Sequence, residues 1–223
     1  MWEQEFHLAK RVAIEAGRLL KEAIAETSST YVLSEQGRDI KIEADKSSDD
    51  WIRSQLAKQS EFAILSEESG ESEPIEIQQN APYWVVDPLD GTFNYYRGIP
   101  NACVSVALWQ SSKPLVGVVH DFFHDETYAA LEDHTCVLNG QPISVAEPKE
   151  AEKSCLMTGF PLHHGFAQED LLSFSNRVRQ FKKVRMLGSA ALMLAQVAAG
   201  RAEAYFEQGT MFWDVAAGLA LVR

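Results

Sequence analysis

The sequence predicts a layered fold of mixed helices and sheets, α/β in the broad sense and α+β in the narrower one. Three observations carry this. The N-terminal stretch has apolar side chains at helical spacing, the stretch from Ala102 to Ala130 reads as β, and helical patterns return after residue 169. Helices and strands are intermixed rather than strictly alternating, which favours layers over one simple parallel sheet.

The elements follow in order. Residues 5–25 place Phe6, Ala9, Val12, Ala13, Ala16, Leu19, Leu20 and Ala23 on one stripe, which predicts a helix with a single buried face. Residues 46–58 predict a second helix, with Trp51, Ile52 and Leu56 on one side. Phe62–Leu65 and Tyr83–Val86 are short apolar runs that end at acidic residues, as buried strands do when they deliver side chains to a sheet edge. Val104, Val106 and Leu108 alternate, Lys113-Pro114 marks a turn, and Leu115–Val119 is apolar again. Tyr128–Leu131 and Ile143–Val145 extend the strand-rich zone. Residues 169–180 read as a helix, and Leu187–Ala199 as an Ala-rich helix opened by Gly188-Ser189 and closed by Gly200. Ala202–Phe206 suits a strand and Trp213–Val222 a buried helix. No repeat or low-complexity linker interrupts the chain, and the polar loop at 67–82 is short for a domain linker.

Composition narrows the function classes. With 46% hydrophobic and 23% charged residues, the chain is an ordinary globular protein. Its net charge of −12 argues against nonspecific nucleic-acid binding, which needs clustered Lys and Arg. Cys103, Cys136 and Cys155 fit neither a disulfide framework nor a zinc motif, so buried, inert thiols in a reducing compartment are expected. The N-terminus lacks an apolar signal core, and no apolar run approaches the ~20 residues that span a bilayer. A cytoplasmic enzyme is the simplest class.

The most informative run is Trp84-Val-Val-Asp87-Pro88-Leu89-Asp90-Gly91-Thr92-Phe93-Asn94. Two carboxylates lie three residues apart where a strand pattern stops, and a Gly-Thr pair follows where a helix or tight turn begins. By itself the run is also compatible with a plain turn, since Asp, Pro and Gly are common turn residues. Glu67, Asp87, Asp90 and Asp214 each adjoin an apolar run, where a carboxylate is costly unless compensated. Oxygen-ligated divalent cations compensate well, and backbone N–H groups at a helix start suit phosphate. Asp214 also reads as an N-cap, and Glu67-Glu68 as a solvated turn. His163-His164 suit surface histidines better than a metal pair, because adjacent strand residues point to opposite faces, and His120 and His124, four apart, lie in a strand-like region where helical metal spacing does not apply. Trp2, Trp51 and Trp109 suit core or interface packing.

The Trp84–Asn94 run resembles the W-x-x-D-P-x-D-G-T-x-N signature of the inositol monophosphatase family. Phe212-Trp213-Asp214-Val-Ala-Ala-Gly218 resembles its second signature, W-D-x-A-A-G. Ser66-Glu67-Glu68-Ser69 resembles its Glu-Glu metal-ligand segment, and Asp39–Asp45 the segment that carries a further active-site Asp. The resemblance implies one domain over residues 1–223 with an αβαβα layering, in approximate parts 1–146 and 147–223. It implies hydrolysis of a phosphate monoester by a water that Mg²⁺ activates. Two or three ions are implied, with Mn²⁺ as a substitute. Glu67, Asp87 and the Leu89 carbonyl would hold one ion, and Asp87, Asp90 and Asp214 a second, with Glu67 meeting a third. Asp45 and Thr92 would orient or deprotonate the attacking water, and the Gly91 and Thr92 amides would bind phosphate. Glu207 would accept hydrogen bonds from substrate hydroxyls, and the backbone of Gly188, Ser189 and Ala190 would face substrate. Thr158-Gly-Phe-Pro161 resembles a substrate-side loop.

These features tilt the substrate toward a polyol monophosphate, chiefly myo-inositol 1-phosphate. Relatives that act on histidinol phosphate, fructose 1,6-bisphosphate or 3′-phosphoadenosine 5′-phosphate supply the alternatives, and a catalytically weak metal-binding or scaffold homologue is an alternative of another class. Family members continue past the second signature with a strand and helix, so the chain's C-terminal part reads as shortened. A homodimer is expected, with no membrane and no specific nucleic-acid partner.

Overall fold

The computed structural model describes residues 1–24, 32–36, 39–68, 80–132, 134–160 and 167–222. The 67–82 loop, Pro161 and the His163-His164 pair therefore lie wholly or partly outside the described residues. The first helices, α1 (Glu3–Ala23) and α2 (Glu43–Ala57), are separated by an antiparallel hairpin of β1 (Val32–Gln36) and β2 (Asp39–Ile42). A seven-stranded sheet follows, with β3 (Ala63–Ser66), β4 (Pro82–Asp90), β5 (Cys103–Gln110), β6 (Lys113–Asp121), β7 (Glu126–Leu131), β8 (Val137–Leu138) and β9 (Gln141–Pro142) in sequence order. β3 runs parallel to β4, and every later pair is antiparallel. The short helix α3 (Thr92–Tyr96) leaves the end of β4.

The rest builds a three-stranded parallel sheet in the order β11 (Lys183–Arg185), β10 (Cys155–Met157), β12 (Ala204–Tyr205). Helices α4 (Gln168–Val178), α5 (Ala190–Ala198) and α6 (Phe212–Leu221) accompany it.

Period-two alternation sorts the large sheet's side chains into two cores. Trp84, Val86, Val104, Val106, Leu108, Val116, Val118 and Ala129 face α1 and α2. Val85, Cys103, Ala107, Trp109, Val119 and Tyr128 face α5 and α6. The other side of α5 packs Met193 and Val197 against Met157 of the small sheet. α4 closes that side, with Phe174 edge-on to Phe160 at 5.3 Å and the Arg177 guanidinium 3.5 Å from the Phe206 ring centroid. The layers are thus α, β, α, β, α.

The second signature is a close-packing device. A Cβ on Gly117 of β6 would sit 2.5 Å from Ala220 Cβ, and one on Gly218 would sit 2.5 Å from Leu194 Cβ. With Ala216 and Ala217 wholly buried, α6 is wedged between β6 and α5 with no room for larger side chains. Gly117→Val is expected to destabilise the protein by about 1–3 kcal/mol through overpacking. Because α6 carries Asp214, turnover falls with it; a denaturant titration beside an activity assay checks both.

Several boundaries differ from the sequence reading. The turn between β5 and β6 lies at Ser111, held at φ 55°, so Lys113-Pro114 begins β6 instead of forming the turn. Pro114 sits beside a register shift at Leu108/Trp109, where a missing N–H is tolerated. Ile143–Val145 belongs to no strand; the edge ends at Gln141–Pro142, a strand of two residues. Of the cysteines, all free, Cys103 is buried but Cys136 and Cys155 are half-buried. Trp109 is buried edge-on against Phe212 at 4.9 Å, and Trp2 meets Phe62 at 6.1 Å.

Candidate active site

The decisive local feature is a bulge in β4. Asp87 pairs with Ser105 and Asp90 with Cys103, so three steps on β4 oppose two on β5. The irregularity falls at Pro88-Leu89, where proline could not have served the ladder anyway. The extra residue brings Asp87 and Asp90 together with the Leu89 backbone into the wall of one cavity. Gly91 then turns the chain at φ 91°, where a Cβ would also lie 2.8 Å from the Asn101 carbonyl, and α3 begins at Thr92.

The cavity, of about 430 Å³, gathers side chains from the ends of β3, β4 and β12 and from the starts of α3, α5 and α6. Glu67, Asp87, Leu89, Asp90, Gly91, Thr92, Gly188, Ser189, Ala190, Glu207 and Asp214 all line it. Asp45 lies behind the wall, buried on α2, and takes a hydrogen bond from the Thr92 hydroxyl at 3.1 Å. The structure therefore brings these residues to one place, with Asp45 directly behind Thr92.

Each carboxylate has its own surroundings. Asp87 is 1% exposed and accepts from the Leu89 N–H at 3.1 Å. Burial, then the charges of Glu67, Asp90, Asp214 and Asp45, hold its carboxyl well above the usual range. Asp90 bridges two halves of the chain: Ser189 Oγ and the Ala191 N–H each donate at 2.6 Å, and the Ala190 N–H at 3.3 Å. Its carboxylate thus sits at the positive end of α5, yet burial outweighs those hydrogen bonds and pushes it up to about 6. Asp214 accepts from the Met211 N–H at 2.7 Å: the N-cap position is Met211, not Asp214, and the Asp214 carboxylate caps the helix start from the third helical residue. Glu207 takes the Tyr205 hydroxyl at 3.0 Å, and burial raises its carboxyl too. A Cβ on residue 159 would collide with the Glu207 carboxylate, which accounts for Gly159.

Two partnerships were not legible in the motifs. Amides at the start of α5 bind Asp90, whereas the family resemblance has the Gly188–Ala190 backbone facing substrate. Asn94, the last residue of the first signature, donates to the Asn101 and Leu187 carbonyls at 2.7 Å each, stitching α3 to the turn before α5. The histidines lie elsewhere: His120 is buried beside the Thr127 hydroxyl, and His124 pairs with Asp121.

The donor set fits a hard divalent cation, being made of carboxylate and carbonyl oxygens under mutual repulsion. Among the described residues no three acidic, His or Cys side chains are drawn into a finished metal cage. Several of these oxygens are turned toward backbone amides instead.

These acids couple metal binding to pH. Folding raises the Asp90 carboxyl to about 6, so its stability contribution is complete below about pH 4 and is lost as pH rises through about 6; Asp87, raised well above the ordinary range by burial and its acidic neighbours, acts in the same sense. His120, held neutral by burial, acts in the opposite sense below about pH 6.5. A cation that replaces the protons removes the acids' penalty and leaves the histidine's unchanged. The gain in melting temperature on adding Mg²⁺ is therefore expected to be larger at about pH 7.5 than at about pH 5.5.

The profile of the inositol monophosphatase family matches residues 1–223, the whole chain. The chain belongs to the inositol monophosphatase family. Among curated proteins, Nus factor SuhB of Xylella fastidiosa is 37% identical over 226 residues, covering 100% of this chain and 80% of that protein. Inositol-1-monophosphatase of Mesorhizobium japonicum is 35% identical, covering 96% and 80%. The crystal structure of extragenic suppressor protein SuhB from Bartonella henselae superposes with a TM-score of 0.90 at 32% identity, covering 99% of this chain and 84% of that one. Inositol monophosphatases are metal-dependent phosphatases, and the chain is a phosphoric monoester hydrolase. No helix among the described residues is long and apolar enough to cross a membrane.

Proposed function

We propose that the chain hydrolyses myo-inositol 1-phosphate to inositol and phosphate with two or three Mg²⁺ ions. One observation carries this reading: the cavity wall holds five carboxylates, and among its described residues there is no Lys, Arg or His. A phosphate dianion cannot settle against such a wall unless divalent cations stand between. Glu67, Asp87 and the Leu89 carbonyl would hold one ion and Asp87, Asp90 and Asp214 another, with Mn²⁺ as a substitute. When bound, the ions neutralise the phosphate, lower the pKa of water and stabilise the leaving oxygen.

The protein's own groups supply orientation. The Thr92 hydroxyl has one hydrogen and two acceptors in reach, Asp45 Oδ2 at 3.1 Å and the Leu89 carbonyl at 3.0 Å. With Asp45 ionised, the hydroxyl donates to Asp45, and Thr92 Oγ1 turns a lone pair toward the cavity to accept from the attacking water; as that water's proton moves to Oγ1, the hydroxyl's own proton passes to Asp45 Oδ2. The Leu89 carbonyl then keeps its oxygen for a cation. The Gly91 and Thr92 amides bind the phosphate as α3 begins. Glu207 faces the cavity beyond them and accepts from ring hydroxyls of the inositol.

Release of inorganic phosphate from myo-inositol 1-phosphate tests the reading. Turnover is expected with Mg²⁺ and is abolished by excess chelator; undiminished turnover in chelator overturns it. A panel with histidinol phosphate, fructose 1,6-bisphosphate and 3′-phosphoadenosine 5′-phosphate fixes the substrate by comparing kcat/KM.

A further inference from the structure

Helix α2 presents an unusual face to the core. Ala44, Ile52 and Leu56 are buried as expected, but Asp45, Ser48 and Asp49 are 2%, 6% and 3% exposed at i, i+3 and i+4 on the same side. Each reaches a different strand or helix of the site. Asp45 holds the Thr92 hydroxyl. Ser48 Oγ donates to the Pro88 carbonyl at 3.0 Å, inside the bulge between Asp87 and Leu89. Asp49 accepts from Ser66 Oγ, and Ser66 is the wholly buried last residue of β3, directly before Glu67. The Glu67 N–H continues the contact by donating to the Val86 carbonyl at 3.2 Å. Arg53, one turn along α2 and partly exposed, lies 3.7 Å from Asp49.

Folding alone does not ask for this. A buried carboxylate facing a serine is a costly way to join a helix to a strand, and an apolar pair of similar shape would serve packing as well or better. What the polar face adds is direction. A hydrogen bond fixes distance and angle, and three of them, from one rigid helix, fix the segments that carry Glu67, Asp87 with Leu89, and Thr92 relative to one another.

We propose that Ser48, Asp49 and Ser66 are positioning residues: through them α2 sets the spacing between the Glu67 and Asp87–Leu89 donors and so tunes the affinity of the site for its divalent cation. This rests on the metal-dependent reading of the site given above. Outer partners of a metal site typically contribute roughly 10–100-fold in metal affinity.

The test is calorimetric titration of the metal-free protein with Mg²⁺, beside the Mg²⁺-induced shift in melting temperature. It compares wild type, Ser66→Ala, the apolar pair Ser66→Ala with Asp49→Leu and, as a charge control on the exposed side of α2, Asp50→Asn. Ser66→Ala, alone or together with Asp49→Leu, is expected to weaken Mg²⁺ binding roughly 10–100-fold; the metal-free melting temperature falls in the single variant, which leaves the Asp49 carboxylate without its hydroxyl donor, and holds or rises in the apolar pair. Ser66→Thr, which keeps the hydroxyl, restores the affinity, and Asp50→Asn binds as wild type does. A fall in metal-free stability with unchanged Mg²⁺ affinity overturns the proposal in favour of a folding role. An equal weakening in Asp50→Asn overturns it in favour of bulk charge. Wild type that takes up no Mg²⁺ overturns the metal reading and this inference with it.

Discussion

Asp87→Asn is expected to give a protein that is more stable without metal and inert with it. Asp87 is buried at 1% exposure, and burial and the charges of Glu67, Asp90, Asp214 and Asp45 all disfavour its ionised form. Asparagine keeps the Oδ1 acceptor for the Leu89 N–H and removes the charge. The repulsion stored in the metal-free site drops, and each kcal/mol recovered raises the melting temperature by about 2–4 °C at this chain length. The same change removes the acid proposed to be shared between two ions. Turnover should then fall on the order of 10³-fold or more, beyond the 10–100-fold of outer partners. Calorimetry in chelator and in Mg²⁺, beside a phosphate-release assay, reads both effects. A variant that melts lower than wild type in chelator contradicts the electrostatic account, and one that keeps wild-type turnover removes Asp87 from the site.

Thr92→Val is expected to lose about 10²–10⁴-fold in kcat, the usual span for a positioned proton acceptor. The substitution preserves shape and deletes the hydroxyl that joins Asp45 to the cavity. Substrate KM and the Mg²⁺-induced melting shift should change little, because the proposed cation donors remain. Thr92→Ser keeps the hydroxyl and should recover most of the rate. Equal losses in Thr92→Ser and Thr92→Val would locate the effect in packing and not in proton transfer.

Much of this site was legible because its residues cluster in the sequence. Asp87, Asp90, Gly91 and Thr92 sit within six positions, and the unbroken apolar run Tyr83–Val86 before them marks a strand buried on both faces. The α5 helix was legible for the same local reason: Gly188-Ser189 opens it, and Ser189 Oγ accepts from the Leu192 N–H. What stayed hidden depends on partners remote in sequence. Asp90 finds the Ala191 amide 101 positions away, and no spacing rule announces that pairing. The β4 bulge is a statement about register, which exists only once β5 lies alongside. The roles of Ser48 and Asp49 stayed hidden because the far wall they bond to, Pro88 and Ser66, is brought there by the sheet. Pro114 misled for a different reason: proline is both a turn residue and, beside a bulge, an acceptable strand residue.

The bulge at Pro88-Leu89 also bears on how such a protein can change. β4 is an interior strand, paired with β3 on one side and β5 on the other, so an insertion or deletion there would shift both ladders at once. The proposed grip on phosphate is therefore locked to the sheet and has little freedom to drift. The opposite rim of the cavity is built differently: Phe160, Met186, Gln208 and Thr210 come from connecting segments, where length and side chain vary at small cost to the fold. Adaptation to a new alcohol can proceed along that rim while the hydrolytic machinery stays as it is. A directed-evolution library that aims to retarget this enzyme would best leave β4 alone and diversify the rim.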